Sequence, residues 1–532
     1  MRTPRIGFWL ALLALVLFGL APIVTMLGRL GQDPSALEHL TGDRIQSLLG
    51  RTMLLGLGVA GVGLLLGVPF GYLTARTRLP GAGLWLALAW VPLCVPPLVM
   101  GMSWVVLWPG LRGAPMAIWI LGLGYFPLVA TFVHKAARRV DARQVEAARL
   151  VGGWRAQWRM ELPLILPAAL LGATLAFLFA TGDFAVPDYV SSVGPKFNVY
   201  ADEVFATWQV GQSDAQAVAT ALPLIGLALL ALALALRLRR AGSLQTLGSG
   251  FRLPERLPLG RAALPALLFV LGVLTAAVFL PVGRLVYEAG QAVPTQGSSG
   301  AAATPTLVSA PWTFDHTLGA FQMAFERCRQ NLRASILLAA GGASLALPIA
   351  LLLGHAAARL RRGRWLLALC LLPLATPAIL FGIGQIVVWN HPWSSDFYAG
   401  DGLVVGMLMG RYLVFPVLLV TSAIENLSPR LEEAAALVGS GSWTRLFRIV
   451  APPILPALAG AWTLLFVFSM RELDAAILVP AANKTVMFRL YNAIHFYRQD
   501  YVAALALVTL FVILLPGLLW TLFARRKMEV LP

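Results

Sequence analysis

The chain has 532 residues, of which 58% are hydrophobic and only 12% charged, and its formal net charge is +17. Soluble domains carry about a quarter of their residues charged, so the composition excludes a soluble globular protein and places the chain in the membrane class. The basic excess is scattered as arginines between apolar runs, which leaves no contiguous basic face for nucleic acid. The three cysteines, Cys94, Cys328 and Cys370, stand too far apart for a disulfide framework or a clustered metal site.

A helix needs about 20 apolar residues to cross the hydrocarbon core. In chain order this predicts twelve spans, at about 7–27, 50–74, 84–107, 115–134, 164–184, 216–236, 263–283, 333–357, 365–389, 402–423, 455–471 and 502–523. The first run, behind Arg2 and Arg5, has no clean small-residue cleavage site after it and is expected to be retained. With the N-terminus in the cytoplasm, the inside segments collect 27 of the 41 basic residues but only 8 of the 24 acidic ones. That is the asymmetry of the positive-inside rule, and both termini are expected to be cytoplasmic. A Gly/Ser/Thr/Pro-rich stretch at about 288–312 reads as a flexible loop.

The spans fall into two homologous sets of six. Pro92, Pro96, Gly101 and Trp108 in the third span recur as Pro373, Pro377, Gly382 and Trp389 in the ninth, always 281 residues on. A polar phrase also recurs, VEAARLVGGWRAQWRMELPLILPA at 145–168 and EEAAALVGSGSWTRLFRIVAPPILPA at 432–457. It aligns Glu146 with Glu433 and, after a two-residue gap, Pro163 with Pro452 and Pro167 with Pro456. Residues 37–40 and 314–317 echo more weakly. Duplication of this kind is a common way to build a transporter around a central path. The expected division is a first half at 1–240, a basic cytoplasmic linker at 241–261 and a second half at 262–532.

Each polar phrase lies on the expected cytoplasmic side, between spans four and five and between spans ten and eleven. Good helix formers give a first short helix, glycines break it, and a second short helix is expected to end at Pro163 or Pro452. Leu150, Val151, Leu437 and Val438 add apolar surface suited to a partner's groove; a lone copy would read equally well as an amphipathic loop on the membrane surface.

The Glu-Ala-Ala sequence, a glycine six residues after the glutamate and the closing proline together resemble the EAA loop of ATP-binding-cassette importer permeases. GYLTARTRLPG at 71–81 is similar to another phrase of that family. The resemblance covers nearly the whole chain. It implies that Glu146, Ala147, Ala148 and Gly152 form one coupling loop, and Glu433, Ala434, Ala435 and Gly439 the other, each docking on a cytoplasmic ATPase. It also implies two copies of that ATPase and a periplasmic substrate-binding protein, in a bacterial inner membrane. The first loop departs from the pattern by two missing residues after its glycine. Two permease halves fused in one chain resemble the ferric-iron and thiamine branches. The phrases beginning at Arg471, Phe488 and Val502 look most like the iron branch, leaving thiamine, phosphonate or another small solute as alternatives.

No nucleotide site is encoded. A P-loop needs Gly-Lys before Ser or Thr; of the four lysines only Lys484 precedes a threonine, and Asn483 stands before it. The chain is therefore expected to be no enzyme and to bind no cofactor, ATP being consumed by the partner. An ion-coupled secondary transporter also uses twelve spans and repeats, but it would need a mid-membrane ion relay. A membrane scaffold or sensor would need an output domain that the chain lacks.

Five charged residues are candidates for the translocation path. Arg411 falls about ten residues into the tenth span, near mid-membrane at about 1.5 Å per residue, and a charge there is a functional candidate. Asp183 and Glu472 match at an offset of 289 near the outer ends of spans five and eleven, with Arg471 and Asp474 beside Glu472. The alternative is that these charges pair with one another to fix helix packing. His391, Tyr491, His495 and Tyr497 lie on the outer side, where interfacial aromatics are commoner than ligands, and no metal site is assigned to them.

Overall fold

The computed structural model describes residues 4–32, 43–209, 214–243, 252, 254–291, 311–360, 363–496 and 499–528. The weak echo at 37–40, most of the loop at 288–312 and the middle of the linker lie outside them. Eight helices are long and apolar enough to cross a membrane, and four further pairs bend sharply at a short break. Counting each pair as one gives up to 12 spans, and these match the twelve hydropathy segments one for one. The chain is an all-α polytopic membrane protein; the β pairing among the described residues consists of two isolated bridges.

The matched prolines have a direct structural effect. Ala82–Cys94 meets Pro97–Leu107 at 97°, and Trp365–Ala375 meets Ala378–Trp389 at 99°. A proline ring clashes with a helical residue before it. Val95 (φ −70°, ψ 128°) and Thr376 (φ −74°, ψ 133°) are accordingly extended, just ahead of Pro96 and Pro377. Spans three and nine therefore break at the same place. The tenth span also bends, by 48° between Asp401–Tyr412 and Val414–Glu425.

Packing gathers the helices into two compact units, one of residues 1–34 with 285–532, the other of residues 35–284. The first unit places the leading helix, Arg5–Gly31, among spans of the second copy. There Gln385 Nε2 donates to Phe18 O at 2.9 Å, within a π-helical turn at Val16–Leu20. In the second unit the π-helical turn at Thr275–Phe279 precedes Pro281, whose carbonyl accepts from Ser103 Oγ at 3.0 Å. In both units a side chain just beyond a proline break thus anchors the backbone of a leading span. The second unit's core brings Val129, Val133, Ala169 and Ala173 against Tyr72 and Ala75. Gly63, Gly67 and Gly71 face Val129, Ala130 and Val133 at a four-residue spacing, the small-residue stripe that lets membrane helices approach closely.

Candidate functional site

The first polar phrase begins with Asp141, whose carboxylate accepts the Arg143 amide at 2.9 Å and starts the incoming helix at Ala142. The turn follows at Gly152 (φ −156°, ψ 24°) and Gly153 (φ 62°, ψ −149°). The left-handed residue is thus Gly153, one position beyond the glycine picked out by the motif. In the second copy the incoming helix is Pro429–Leu437 and the left-handed turn residue is Gly439 (φ 79°), as the motif places it.

The outgoing helices differ as well. A helix end is expected at Pro163, yet the outgoing helix beyond Gly153 runs on through Pro163 and Pro167 to Gly182 in the fifth span. At the second copy the expected end is found: a π-helical Arg445–Val450 stops, residues 451–454 turn, and Leu455–Met470 leaves at 87°. One proline costs a helix one hydrogen bond and a clash. Pro452 and Pro453 remove two successive donors, and the helix does not continue across them.

Glu146, Ala147 and Gly152 are exposed and Ala148 half-buried; Glu433, Ala434 and Gly439 are likewise exposed and Ala435 half-buried. Beyond them Leu150 and Val151 are each 89% exposed, and Leu437 and Val438 are 89% and 83% exposed. Each loop tip thus exposes an apolar pair, the kind of surface that marks a protein or membrane contact. An open groove of about 560 Å³ runs between the arms of the first loop, lined by Gln144, Ala147, Ala148, Val151, Ala156, Met160 and Leu164.

Behind each tip sits a buried carboxylate that had no assigned role in the sequence reading. In the first loop it is Glu161 on the outgoing helix, fully buried and paired with Arg76. It also accepts from Tyr72 Oη at 2.7 Å and Gln157 Nε2 at 2.8 Å, and Gln157 in turn accepts from Arg149 Nε at 2.7 Å. In the second loop it is Glu432 on the incoming helix, 2.8 Å from His355 Nε2 and 2.9 Å from Arg359 Nε. Burial works to raise the Glu432 carboxyl, but the hydrogen bonds and charges of His355 and Arg359 outweigh it and hold the group below its usual range. The available signal was a charge at the very end of an apolar run, where Arg76 and Arg359 close spans two and eight.

The linker adds a tie to the first loop. Leu257 exchanges backbone hydrogen bonds with Arg76 and Arg78, and the Ala142 amide donates to Arg252 O at 2.9 Å. The Arg252 side chain lies 4.0 Å from Glu146 at the surface.

The path candidates are mostly engaged in holding broken helices. Arg411 Nη1 donates to Thr376 O at 3.2 Å and Pro373 O at 3.5 Å, carbonyls released where span nine bends. Its Nε is 4.0 Å from Glu472, and its guanidinium lies over Phe381. Glu472 accepts the Ala475 amide at 2.7 Å and is hydrogen-bonded by Tyr412. Asp183 accepts the Val186 amide at 2.9 Å in the same relative position. Arg471 lies over Phe468 and, like Asp474, is half-buried. His391 stacks on Trp393 and Tyr491 is half-buried, while the side chain of His495 and all of Tyr497 lie outside the described residues. Among the described residues no three His, Cys, Asp or Glu side chains are grouped so as to hold a metal.

Comparison with known proteins agrees with this duplicated geometry. The family model described as "Binding-protein-dependent transport system inner membrane component" matches residues 67–243 and again 346–529. The Fe(3+)-transport system permease protein FbpB 2 of Haemophilus influenzae is 23% identical over 515 residues, covering 94% of this chain and 95% of that protein. The molybdenum transport system permease protein ModB of Escherichia coli K12 is 28% identical over 223 residues, 36% of this chain and 96% of its own length. The sulfate transport system permease protein CysW of Synechocystis is 28% identical over 203 residues, covering 34% of this chain and 74% of that protein. The chain therefore belongs to the inner-membrane components of binding-protein-dependent transport systems, carries the family's domain twice, and is a multi-pass importer permease rather than an enzyme.

Proposed function

We propose that the chain forms the translocation path of a ferric-iron importer. Substrate arrives on a periplasmic binding protein, and ATP is hydrolysed by two copies of a cytoplasmic ATPase. Glu146, Ala147, Ala148 and Gly152 form one docking surface for that ATPase, and Glu433, Ala434, Ala435 and Gly439 the other. Both loops and both termini lie in the cytoplasm, and Asp183, Arg411, Arg471, Glu472 and Asp474 shape the path by fixing its broken helices.

The observation that supports this substrate is the shared two-copy length. The ferric-iron permease aligns across both copies of this chain, whereas the molybdenum and sulfate permeases align over about a third of it. The exposed apolar tips in matched loops support the docking. Proteoliposomes holding the permease, its ATPase and its binding protein provide the test. ATP-dependent accumulation of radiolabelled ferric iron is expected; accumulation of molybdate, sulfate, thiamine or a phosphonate in its place would replace the substrate.

A further inference from the structure

The two buried carboxylates behind the loops are not equivalent. Gly71 lies against Val133 and Gly354 against Val420, and from these glycines the two copies can be counted in step. One residue on stand Tyr72 and His355; five residues on stand Arg76 and Arg359. Spans two and eight therefore each end in an arginine one helical turn beyond a ring side chain that hydrogen-bonds the same acid. That acid has changed arms between the copies. Glu161 belongs to the outgoing helix of its loop, where the second copy has Val450; Glu432 belongs to the incoming helix, where the first copy has Val145. All four positions are buried, the two valines at 3% exposure or less.

Neighbouring contacts follow the same exchange. In the first copy Trp158, on the outgoing arm, stacks on Tyr72 at 4.4 Å between ring centres. In the second, Arg359 Nη2 also donates to Leu427 O at 3.0 Å, just ahead of the incoming arm. On the outgoing arm of that loop Trp443 packs instead on Gly7 of the leading helix.

We propose that Glu161 and Glu432 are positioning residues that fasten the coupling loops to spans two and eight through opposite arms, so that each loop passes ATPase movement into its unit through a different helix. The proposal rests on the reading that the loops dock on the ATPase. An ion pair between buried charges held by two or three hydrogen bonds is a stiff link; the incoming arm of the first loop reaches the same acid indirectly, through Arg149 and Gln157. The first loop moves span two through its outgoing helix, continuous with span five. The second moves span eight through its incoming helix, while its outgoing helix is broken at Pro452 ahead of span eleven, which meets span eight separately through Trp462 and Ser344.

The test uses the permease with its ATPase in nanodiscs, with pairs of spin labels placed at exposed positions. One pair joins Arg159 to Leu57 in span two, one joins Ala436 to Leu345 in span eight, and one joins Phe447 to Leu345. Distances are read without nucleotide and after trapping with ADP and vanadate. The two fastened pairs should change by no more than about 2 Å, the scale of a helix shift, and the Phe447 pair by more. Glu161→Gln and Glu432→Gln keep size and some hydrogen bonding but lose the charge; each should release its own pair and leave the other fixed, with the ATPase still co-purifying. Moving the acid with Val145→Glu and Glu161→Val should transfer the fixed distance to the incoming arm. Fastened pairs that move as much in the unaltered protein as in the Gln variants would overturn the proposal while docking stands. An ATPase that cross-links to neither Ala147→Cys nor Ala434→Cys would remove the docking reading and the proposal with it.

Discussion

Asp183 accepts a hydrogen bond from the backbone amide of Val186 at 2.9 Å, and 289 residues later Glu472 accepts one from Ala475 at 2.7 Å. Duplication has kept an acid where spans five and eleven end and the chain re-enters a short helix. The acid satisfies an amide that no helical carbonyl reaches. Asp183→Ala should cost about 1 kcal/mol, the usual worth of such a cap, and Asp183→Asn much less. Thermal unfolding in detergent reads the difference; equal losses would separate the role of Asp183 from its acceptor.

Arg411 answers the bend in span nine. Inside a membrane, carbonyls freed by a break must be satisfied by protein, and Arg411 donates to two of them while facing Glu472. Arg411→Met should destabilise the chain by about 3 kcal/mol, the lower end for removing one member of a buried ion pair. Unchanged stability combined with lost uptake would instead make it a residue of the path.

The turn glycines should not respond alike. Gly153 combines φ 62° with ψ −149°, a region open essentially to glycine alone, so Gly153→Ala should cost about 1–3 kcal/mol locally. Gly439, at φ 79°, has open space around it and should pay only the left-handed penalty, about 1 kcal/mol. Gly152, at φ −156°, lies outside the left-handed region, although an added Cβ would stand 2.9 Å from Ala156 Cβ. Hydrogen exchange across each loop would rank the three, and Gly153→Ala should open its loop most.

Asp202, between spans five and six, gives a pH dependence. Burial pushes its carboxyl up to about 8, with Asp188, Asp183 and Glu203 adding to the rise and the Val199 amide opposing it. The unfolded chain releases this proton near pH 4. Between about pH 4 and 8 the folded state therefore holds a proton that the unfolded state has lost, and stability falls as pH rises through that window. Asp202→Asn keeps an acceptor for Val199 and should flatten the decline. Melting curves from pH 5 to 9 that remain parallel would contradict it.

Glu432 has the opposite sign. Its carboxyl is held low by His355 and Arg359, so its contribution is present above the unfolded value and lost as pH falls through the folded one. Glu432→Gln should remove part of the acid sensitivity of the second loop, measured as hydrogen exchange at residues 429–437 between pH 6 and 4.

Orientation is testable with thiols. With the three native cysteines replaced by serine, Trp393→Cys, 74% exposed after span nine, should react with an impermeant reagent in intact cells. Leu437→Cys at the loop tip should react only after permeabilisation. The reverse pattern would invert the proposed topology.

The sequence by itself determined the spans, the duplication and both copies of the polar phrase. These depend on local quantities: hydropathy over about 20 residues, turn glycines, and prolines whose rings act on the residue before them. The prolines behind Val95 and Thr376 were visible as well, but spans three and nine read as continuous segments and their breaks appeared only in the structure. Tertiary structure alone decided the partners. Nothing local tells Arg76 to grip an acid 85 residues away on an outgoing helix, or Arg359 one 73 residues away on an incoming helix. A leading apolar helix can bury its face against either copy, because hydrophobic packing is non-directional. Its place with residues 285–532 is set by specific contacts such as Gln385 to Phe18. A buried charge is stable only where the fold brings its counterpart, so the roles of Glu161, Glu432 and Arg411 became visible only with the packed helices.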